Sequence, residues 1–277
     1  MENNTIKPRF QRRNIIIIED LIQDNGIYNY NASDFLHALY EDYGDESIDM
    51  FLCDFPYTFK GKNRVTANKW DLPIDDKEFF EIAMKMLTPE GCVALTASQP
   101  FTSYLVMNHL NYFKYEWIWE KDNGSNFASV NHQPFKVHES VLIFGKAPIT
   151  YNKSEKYMKY NPQFTEGKPY KIKRSGMTEN LAVSSGYERT DGEYEGRRYP
   201  RSVVKFNLEK GLHPTQKPTK LFEHLIRTYT NEGGRVIDVC CGSGTTAKAA
   251  QNTGRIYIVN DNNLDYVRIT EKRVVNQ

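Results

Sequence analysis

A short polar segment follows one of the buried-strand patterns in this chain. The apolar run MFLC at residues 50–53 leads directly into DFPY at residues 54–57. Such a segment is either an ordinary turn from strand to loop or an active site built on a carboxylate. Pro within two residues of a strand end commonly means only that strand pairing stops there, so this window alone favours the turn.

A glycine-rich turn lies near the C-terminus, in the segment VIDVCCGSGTTAKAA at residues 236–250. The pattern predicts a strand, a Gly-X-Gly turn and a helix. Glycines let the backbone approach a ligand closely, and a helix N-terminus favours negative charge. Gly242, Gly244 and Ala247 fit the dinucleotide fingerprint G-x-G-x-x-A, and Asp261 after the next strand is suited to ribose hydroxyls. The window predicts a nucleotide-type site, with a purely structural turn as the alternative.

Two features of this segment disfavour NAD. Asp238 lies in the strand just before the loop, where its carboxylate would repel a pyrophosphate but would suit the ammonium of an amino-acid ligand. Only one further strand and helix follow, so a second mononucleotide half cannot be built downstream. The residues therefore favour S-adenosylmethionine.

The surrounding elements alternate between strand and helix patterns, which is typical of an α/β fold with a largely parallel sheet. Strands are predicted at residues 26–30, 48–53, 92–96, 115–119, 140–144, 235–239 and 255–259. Helices are predicted at residues 34–43, 76–87, 101–110, 219–229, 245–253 and 264–274. Trp117 and Trp119 lie in one of the strands and are expected in the core.

The alternation stops at residues 151–205, which contain no long apolar run. This stretch holds seven Tyr, and twelve Lys and Arg against seven Asp and Glu. We interpret it as an inserted, loop-rich module. The predicted organisation is therefore a catalytic domain formed by residues 1–150 and 206–277, interrupted by an insert at 151–205.

Composition sets broad limits on the function. The chain has 277 residues, 26% of them charged, and a formal net charge of +1, so any nucleic-acid surface must be local. Its four Cys show no CxxC spacing and are expected to be reduced, and no metal site is expected. The longest early apolar run, residues 15–18, is too short for a signal peptide or membrane span, which predicts a soluble, cytoplasmic protein.

The segment HPTQKPTKLFEHLI at residues 213–226 lies between the insert and the glycine turn. With it, the chain resembles the β-class DNA amino-methyltransferases, which make N6-methyladenine or N4-methylcytosine. Their order is catalytic tetrad (DPPY), target-recognition insert, HPTQKP and cofactor loop, and all four segments occur here in that order. The resemblance covers nearly the whole chain from about residue 27. It implies a Rossmann-like S-adenosylmethionine-dependent methyltransferase fold with a circularly permuted motif order.

The resemblance assigns roles to individual residues. The catalytic tetrad is Asp54, Phe55, Pro56 and Tyr57. A carboxylate and a backbone carbonyl that accept the two N–H bonds of an exocyclic amine free its lone pair and stabilise the positive charge that develops there. The implied acceptors are Asp54 and the Phe55 carbonyl, and Tyr57 is expected to stack on a base flipped out of the duplex. The implied cofactor-binding residues are Asp238, Cys240, Gly242, Ser243, Gly244, Thr245, Asp261, Lys217 and Pro218.

Basic residues near the tetrad and in the insert are expected to contact double-stranded DNA. They are Lys60, Lys62, Arg64 and Lys69 after the tetrad, and Lys173, Arg174, Arg197 and Arg198 in the insert. The alternative is a pair of solvated basic loops. The recognition sequence does not follow from these residues.

Two positions depart from the family pattern. Phe55 replaces the first Pro of the tetrad, and IYIVNDNN at 256–263 replaces a pattern like IGIELD, so that Asp261 stands in place of a Glu. Asp at the first tetrad position favours N6-adenine methylation of DNA. N4-cytosine methylation, an RNA adenine substrate and a catalytically silent DNA-binding relative are the alternatives. A glutamine-modifying protein methyltransferase is disfavoured, because it would carry Asn at the first position and an earlier cofactor loop. The family often forms homodimers, and the sequence leaves the oligomeric state open.

Overall fold

The computed structural model describes residues 21–58, 73–150, 156–172, 192–209, 211 and 216–275. Within these ranges, none of the helices combines the length and the apolar character needed to cross a bilayer. The described residues form two compact units, one of residues 1–161 and 202–277 and one of residues 162–201.

The larger unit contains eight strands and six helices, and short strand pairs make up the smaller one. The strands are β1 Gly26–Tyr28, β2 Ile48–Cys53, β3 Leu87–Ala97, β4 Phe113–Glu120, β5 His138–Gly145, β6 Thr165–Glu166, β7 Tyr170–Ile172, β8 Gly192–Tyr194, β9 Arg197–Arg198, β10 Val203–Lys205, β11 Arg235–Asp238 and β12 Ile256–Asn260. The helices are α1 Ala32–Tyr43, α2 Asp76–Met86, α3 Phe101–Asn108, α4 Thr219–Tyr229, α5 Thr245–Asn252 and α6 Leu264–Val275, and a 3₁₀ turn covers Phe127–Ser129.

The eight-stranded sheet has the order β1-β12-β11-β2-β3-β5-β4-β10. Strand β5 runs antiparallel to both of its neighbours, and every other pair in this sheet is parallel. The C-terminal strands β11 and β12 therefore lie between β1 and β2, which come from the first fifth of the chain. This arrangement agrees with the predicted Rossmann-like fold and its permuted motif order.

The central strand β2 is buried on both faces, as expected for a parallel strand covered by helices on each side. Side chains alternate across the strand. Phe51 and Cys53 join the cluster packed under α1, α2 and α3, whereas Met50 and Leu52 join the cluster packed under α4, α5 and α6. This two-sided core holds the end of β2 in a fixed position.

The carboxyl ends of β2 and its parallel neighbours β11 and β3 lie at the same edge of the sheet. The register pairs Ile237 of β11 with Phe51 of β2, so the glycine turn after β11 and the tetrad after β2 begin at the same level. In open α/β sheets, ligands bind outside this edge. Topology therefore brings together two segments that are separated by about 180 residues in the chain.

Most predicted elements are present, with shifted ends. Helix α1 begins at Ala32, two residues before the predicted start, because the side chain of Asn31 caps it by accepting from the Ser33 N–H at 2.9 Å. Strand β3 extends beyond the predicted 92–96 to Leu87–Ala97. Trp117 and Trp119 are 3% and 1% exposed, which confirms their expected place in the core.

The insert differs from the predicted 151–205 at both ends. Residues 156–161 and 202–205 belong to the larger unit, where β10 pairs with β4 and the Ser202 carbonyl accepts from the Ile118 N–H at 2.8 Å. A three-residue strand has too short an alternation to be recognised from sequence. The unit of residues 162–201 contains the antiparallel pairs β6–β9 and β7–β8. A role for it in target recognition stays a prediction.

Candidate active site

The tetrad continues directly from the buried end of β2. Asp54 follows Cys53, and the side chain of Phe55 then turns back into the core, where it is 2% exposed and packs against Phe79 of α2. The Pro56 carbonyl accepts from the Thr58 N–H at 2.7 Å, which forms a tight turn. Core packing thus fixes the backbone on both sides of the Asp54 carboxylate.

Three side chains donate hydrogen bonds to Asp54. Lys217 Nζ lies 2.7 Å from Oδ2, and the Thr96 hydroxyl donates to Oδ1. The Tyr57 hydroxyl lies 3.3 Å from Oδ1. Asp54 remains 26% exposed, so the carboxylate is held in place without being sealed from a ligand.

Tyr57 lies against the aromatic cluster at the start of α3. Its ring stacks on Phe101 with centroids 5.6 Å apart and an angle of 29° between the planes. Its hydroxyl donates to Glu139 Oε2 at 3.2 Å, as well as to Asp54. Burial is the main reason that the pKa of the Tyr57 hydroxyl lies well above its ordinary value, so this group stays protonated. Tyr57 is thus a neutral, oriented ring beside the carboxylate.

Glu139, at the start of β5, is a part of the site that the sequence did not assign. Its Oε1 accepts from Lys121 Nζ at 2.6 Å, and its Oε2 lies 3.4 Å from Lys217 Nζ. Burial raises the pKa of Glu139, but Lys217 and Lys121 lower it more strongly, to about 2. The signal for it was the family-like segment HESVLIFGK at 138–146, which gave no indication that it reaches the tetrad.

Asp238, at the end of β11, is almost fully buried at 2% exposure. Its oxygens accept from the Cys240 N–H at 3.1 Å and from the Thr246 hydroxyl at 2.5 Å. Burial raises the pKa of Asp238 to about 7, in spite of these two donors. A buried carboxyl with so high a pKa is poised to ionise when a cation comes near it.

The glycine turn has the backbone conformation that its sequence predicts. Gly242 and Gly244 have φ angles of 52° and 77°, in the left-handed region that favours glycine. A Cβ on Gly244 would lie 2.5 Å from Thr270 Cγ2, whereas a Cβ on Gly242 would meet nothing within 4 Å. Gly244 therefore allows α6 to pack closely, and Gly242 leaves open space above the turn at the N-terminus of α5.

Asp261 follows β12 and reaches the glycine turn. Its Oδ2 accepts from the Gly242 N–H at 2.8 Å, and its Oδ1 accepts from the Asn263 N–H at 2.9 Å. Its own N–H donates to the Tyr28 carbonyl at 3.1 Å. The shorter Asp in place of the family's Glu is thus held by backbone groups on both sides.

The tetrad and the glycine turn are in direct contact. Cys240 Sγ lies 3.5 Å from the Asp54 carbonyl, and burial holds the pKa of this thiol well above its usual range. The Arg273 guanidinium donates to the Ser243 carbonyl at 3.0 Å and to the Thr245 hydroxyl at 3.1 Å. The predicted cofactor residues between 238 and 245 therefore lie together, and beside the catalytic segment.

Lys217 and Pro218 connect this region to α4. The Thr245 hydroxyl lies 3.3 Å from the Lys217 carbonyl, and Pro218 precedes the first turn of α4. The Lys217 ammonium, which the sequence assigned to the cofactor's methionine end, lies on Asp54 and Glu139 instead. Its backbone is next to the cofactor loop, but its charge belongs to the catalytic cluster.

Of the predicted DNA-binding residues, Lys60, Lys62, Arg64, Lys69, Lys173 and Arg174 lie outside the described residues. Arg197 and Arg198 lie in the unit of residues 162–201 and differ from each other. Arg197 is exposed and lies over the Phe164 ring, 3.4 Å from its centroid. Arg198 lies 4.1 Å from the Tyr170 centroid and donates to the Lys168 carbonyl. Arg198 thus contributes to the packing of its own unit.

The four Cys of the chain are free thiols. Across the described ranges, no group of three or more His, Cys, Asp or Glu is arranged to hold a metal ion. The titratable groups at the carboxyl edge of the sheet are therefore arranged around hydrogen bonding to a ligand amine and to a nucleotide-like cofactor.

The sequence profile of the N6/N4 DNA methylase family matches residues 48–272. The chain belongs to this family of DNA methylases. The match includes the tetrad, the segment around Lys217 and the glycine turn, which the structure brings to one edge of the sheet. The protein is therefore a DNA methyltransferase, and its methyl donor is S-adenosylmethionine.

The methylase is similar to several bacterial DNA methyltransferases. It is 25% identical over 246 residues to the type II methyltransferase M.HpaI of Haemophilus parainfluenzae, which covers 83% of this chain and 69% of that protein. It is 25% identical over 290 residues to M2.LlaDCHI of Lactococcus lactis subsp. cremoris, covering 97% and 92% of the two chains. It is 26% identical over 245 residues to the DNA adenine methyltransferase YhdJ of Escherichia coli (strain K12), covering 83% and 76%.

Solved structures share the fold of the methylase. PvuII DNA methyltransferase, described as cytosine-N4-specific, superposes with a TM-score of 0.61 at 16% identity, over 91% of this chain and 86% of that one. M1.HpyAVI, in a complex with S-adenosylmethionine, superposes with a TM-score of 0.54 at 21% identity, over 90% and 98%. Both likenesses support the Rossmann-like methyltransferase fold.

The residues of the glycine turn fit S-adenosylmethionine. The buried carboxyl of Asp238 suits the ammonium of its methionine part, and the space above Gly242 allows close approach of a ligand to the backbone. Asp261 lies beside the turn, where its carboxylate could accept from ribose hydroxyls. The donor set is therefore chemically matched to an amino acid joined to a nucleoside.

Proposed function

We propose that the methylase transfers a methyl group from S-adenosylmethionine to the N6 amine of adenine in double-stranded DNA. The observation that carries the proposal is the position of Asp54, whose carboxylate lies at the carboxyl edge of the sheet in contact with the glycine turn and beside Tyr57. Phe55 in place of Pro leaves the backbone carbonyl of this position in the chain.

The chemistry requires activation of a weak nucleophile, because the lone pair of an exocyclic amine is conjugated with the base. Asp54 and the Phe55 carbonyl accept the two N–H bonds of the amine, which favours a pyramidal nitrogen and frees the lone pair. The carboxylate also stabilises the positive charge that develops on that nitrogen. S-adenosylmethionine supplies an electrophilic methyl group on its sulfonium, and the protein contributes mainly by holding the amine in line.

The target base must leave the duplex, because its amine cannot reach Asp54 inside the helix. Tyr57 is the ring that would stack on the flipped base, and its neutral hydroxyl is oriented by Glu139 and Asp54. Arg197 and the basic residues after the tetrad would hold the phosphate backbone.

Adenine is preferred over cytosine because Asp, rather than Ser, occupies the first position of the tetrad. A relative described as a DNA adenine methyltransferase supports this preference, and a fold neighbour described as cytosine-N4-specific keeps N4-cytosine as the second candidate. RNA methylation, a silent DNA-binding role, a homodimer and a cytoplasmic location stay predictions to be tested separately.

The test is incubation of the protein with S-adenosylmethionine and unmethylated plasmid DNA, followed by digestion to nucleosides and mass spectrometry. We expect N6-methyladenine with the unchanged protein and none with Asp54→Asn. Asp265→Asn is the matched control, because this carboxylate is 81% exposed and lies on α6. N4-methylcytosine would correct the base assignment. Methylation of RNA alone would correct the substrate, and no product on either polymer would contradict the proposed activity.

A further inference from the structure

The tetrad carboxylate belongs to a closed cluster of charged side chains. Lys217 Nζ lies 2.7 Å from Asp54 Oδ2 and 3.4 Å from Glu139 Oε2, and Lys121 Nζ lies 2.6 Å from Glu139 Oε1. The cluster therefore runs Asp54–Lys217–Glu139–Lys121, with two cations and two carboxylates in alternation. Residues that touch the catalytic carboxylate in this way are expected to affect its chemistry.

The cluster is largely removed from water. The side chain of Lys121 is 5% exposed, that of Lys217 is 8% exposed and that of Glu139 is 15% exposed. Buried charges are costly unless each has a partner, and removing one partner is strongly destabilising. Any departure of Lys217 from Asp54 therefore requires a second acceptor that is already in place.

The contact between Lys217 and Asp54 conflicts with the proposed reaction. Oδ2 of Asp54 is bonded to the ammonium, and Oδ1 accepts from Thr96 and Tyr57. The target amine needs one of these oxygens as its own acceptor. A fixed ammonium on the same carboxylate would also repel the positive charge that develops on the amine during methyl transfer.

Glu139 offers the second acceptor. Its Oε2 is 3.4 Å from Lys217 Nζ, so a movement of about 0.6 Å would give a charge-assisted hydrogen bond of ordinary length. Its other oxygen is held by Lys121 at 2.6 Å, which fixes the carboxylate while the ammonium moves. The Lys217 carbonyl accepts from Thr245, so the backbone of Lys217 is held beside the cofactor loop.

We propose that Glu139 is a positioning residue that takes the Lys217 ammonium from Asp54 when the target amine binds. Asp54 Oδ2 then accepts from the amine, while Lys217 stays paired and buried. The inference rests on the proposed function, since it requires an amine substrate at Asp54. It assigns Lys217 to the control of the catalytic carboxylate.

The test compares Glu139→Gln, Lys217→Met and the double variant in steady-state methylation of plasmid DNA by radiolabelled S-adenosylmethionine. With Gln at 139, Lys217 has no competing carboxylate and stays on Asp54. We expect kcat to fall by about tenfold or more, with little change in KM for S-adenosylmethionine. Because the obstacle is Lys217 itself, the double variant is expected to be several-fold more active than Glu139→Gln alone.

Glu120→Gln is the matched control, because Glu120 is 45% exposed and pairs only loosely with Lys205 at 3.5 Å. Thermal unfolding of each variant establishes that it is folded. A folded Glu139→Gln variant with unchanged kcat, or a double variant no more active than the single one, would overturn the role of Glu139. Absence of methyl transfer by the unchanged enzyme would overturn the proposed function as well, which distinguishes the two failures.

Discussion

The ring of Phe55 packs edge-on against the ring of Phe79, with centroids 4.9 Å apart and an angle of 83° between the planes. Phe79 makes a second edge-on contact with Phe51 of β2 at 5.5 Å. The residue that departs from the family's tetrad is thus part of the core under α2. Its side chain faces away from the site, and its backbone remains in the tetrad.

Phe55→Ala is expected to lower the free energy of unfolding by about 3–5 kcal/mol, because it leaves a cavity beside Phe79. Phe55→Leu keeps most of the volume and should cost less than about 1.5 kcal/mol. Denaturant unfolding measures both values. Since the tetrad uses the carbonyl of this residue, the Leu variant should also retain most of its methylation rate. A folded but inactive Leu variant would show that the ring has a role beyond packing.

The sequence was sufficient to predict the segments of the site but not all of its contacts. Asp54, Asp238 and Asp261 were expected at one edge of a parallel sheet, and the structure places each of them at the end of its strand. Thr96 and Glu139 were not assigned, because they reach the tetrad from strands β3 and β5 that approach it only through the sheet order. Residue type and local spacing carry no information about such pairings.

The fold shows the same division. The helix over 219–229 and the strand over 48–53 were predicted with the observed ends, because apolar periodicity and flanking polar residues define them. The strand Val203–Lys205 was missed, because three residues that gain stability only from pairing with β4 have no pattern of their own. Long elements can be recognised locally, and short ones depend on their partners.

Gly244→Ala is expected to destabilise the methylase more than Gly254→Ala. Both glycines have positive φ angles, 77° and 70°, so each substitution carries a similar backbone penalty of about 1–2 kcal/mol. The new Cβ at 244 would also lie 2.5 Å from Thr270, whereas at 254 the nearest atom is 4.0 Å away. Thermal unfolding compares them, and equal losses would mean that Thr270 moves aside without cost. Gly244→Ala should in addition weaken binding of S-adenosylmethionine.

Arg197 and Arg198 are expected to respond differently to replacement by Ala. Arg197 is exposed, so its loss should weaken DNA binding and reduce the slope of log affinity against log salt by about 0.9, as for one lost phosphate contact. Arg198 stacks on Tyr170 and bonds to the Lys168 carbonyl, so its loss should speed proteolysis within residues 162–201. Fluorescence anisotropy at several salt concentrations and limited proteolysis distinguish the two. The opposite pattern would contradict this assignment.

Binding of S-adenosylmethionine is expected to depend on the ionisation of Asp238. The pKa of this buried carboxyl is raised to about 7, above that of the unfolded chain, so the folded protein holds the proton more tightly. Its contribution to the stability of the cofactor-free protein is therefore greatest at low pH and is lost as the pH rises to about 7. An ammonium ligand favours the ionised form, so below that pH binding must release a proton.

The dissociation constant should accordingly be about tenfold higher at pH 6 than at pH 8, since each pH unit below the pKa reduces the ionised fraction about tenfold. Calorimetry at both pH values measures this ratio, and buffers of different ionisation enthalpy report the released proton. In Asp238→Asn the affinity should be lower and nearly independent of pH over this interval, while Asp265→Asn should behave as the unchanged protein. A pH dependence that persists in Asp238→Asn would place the titrating group elsewhere in the cofactor site.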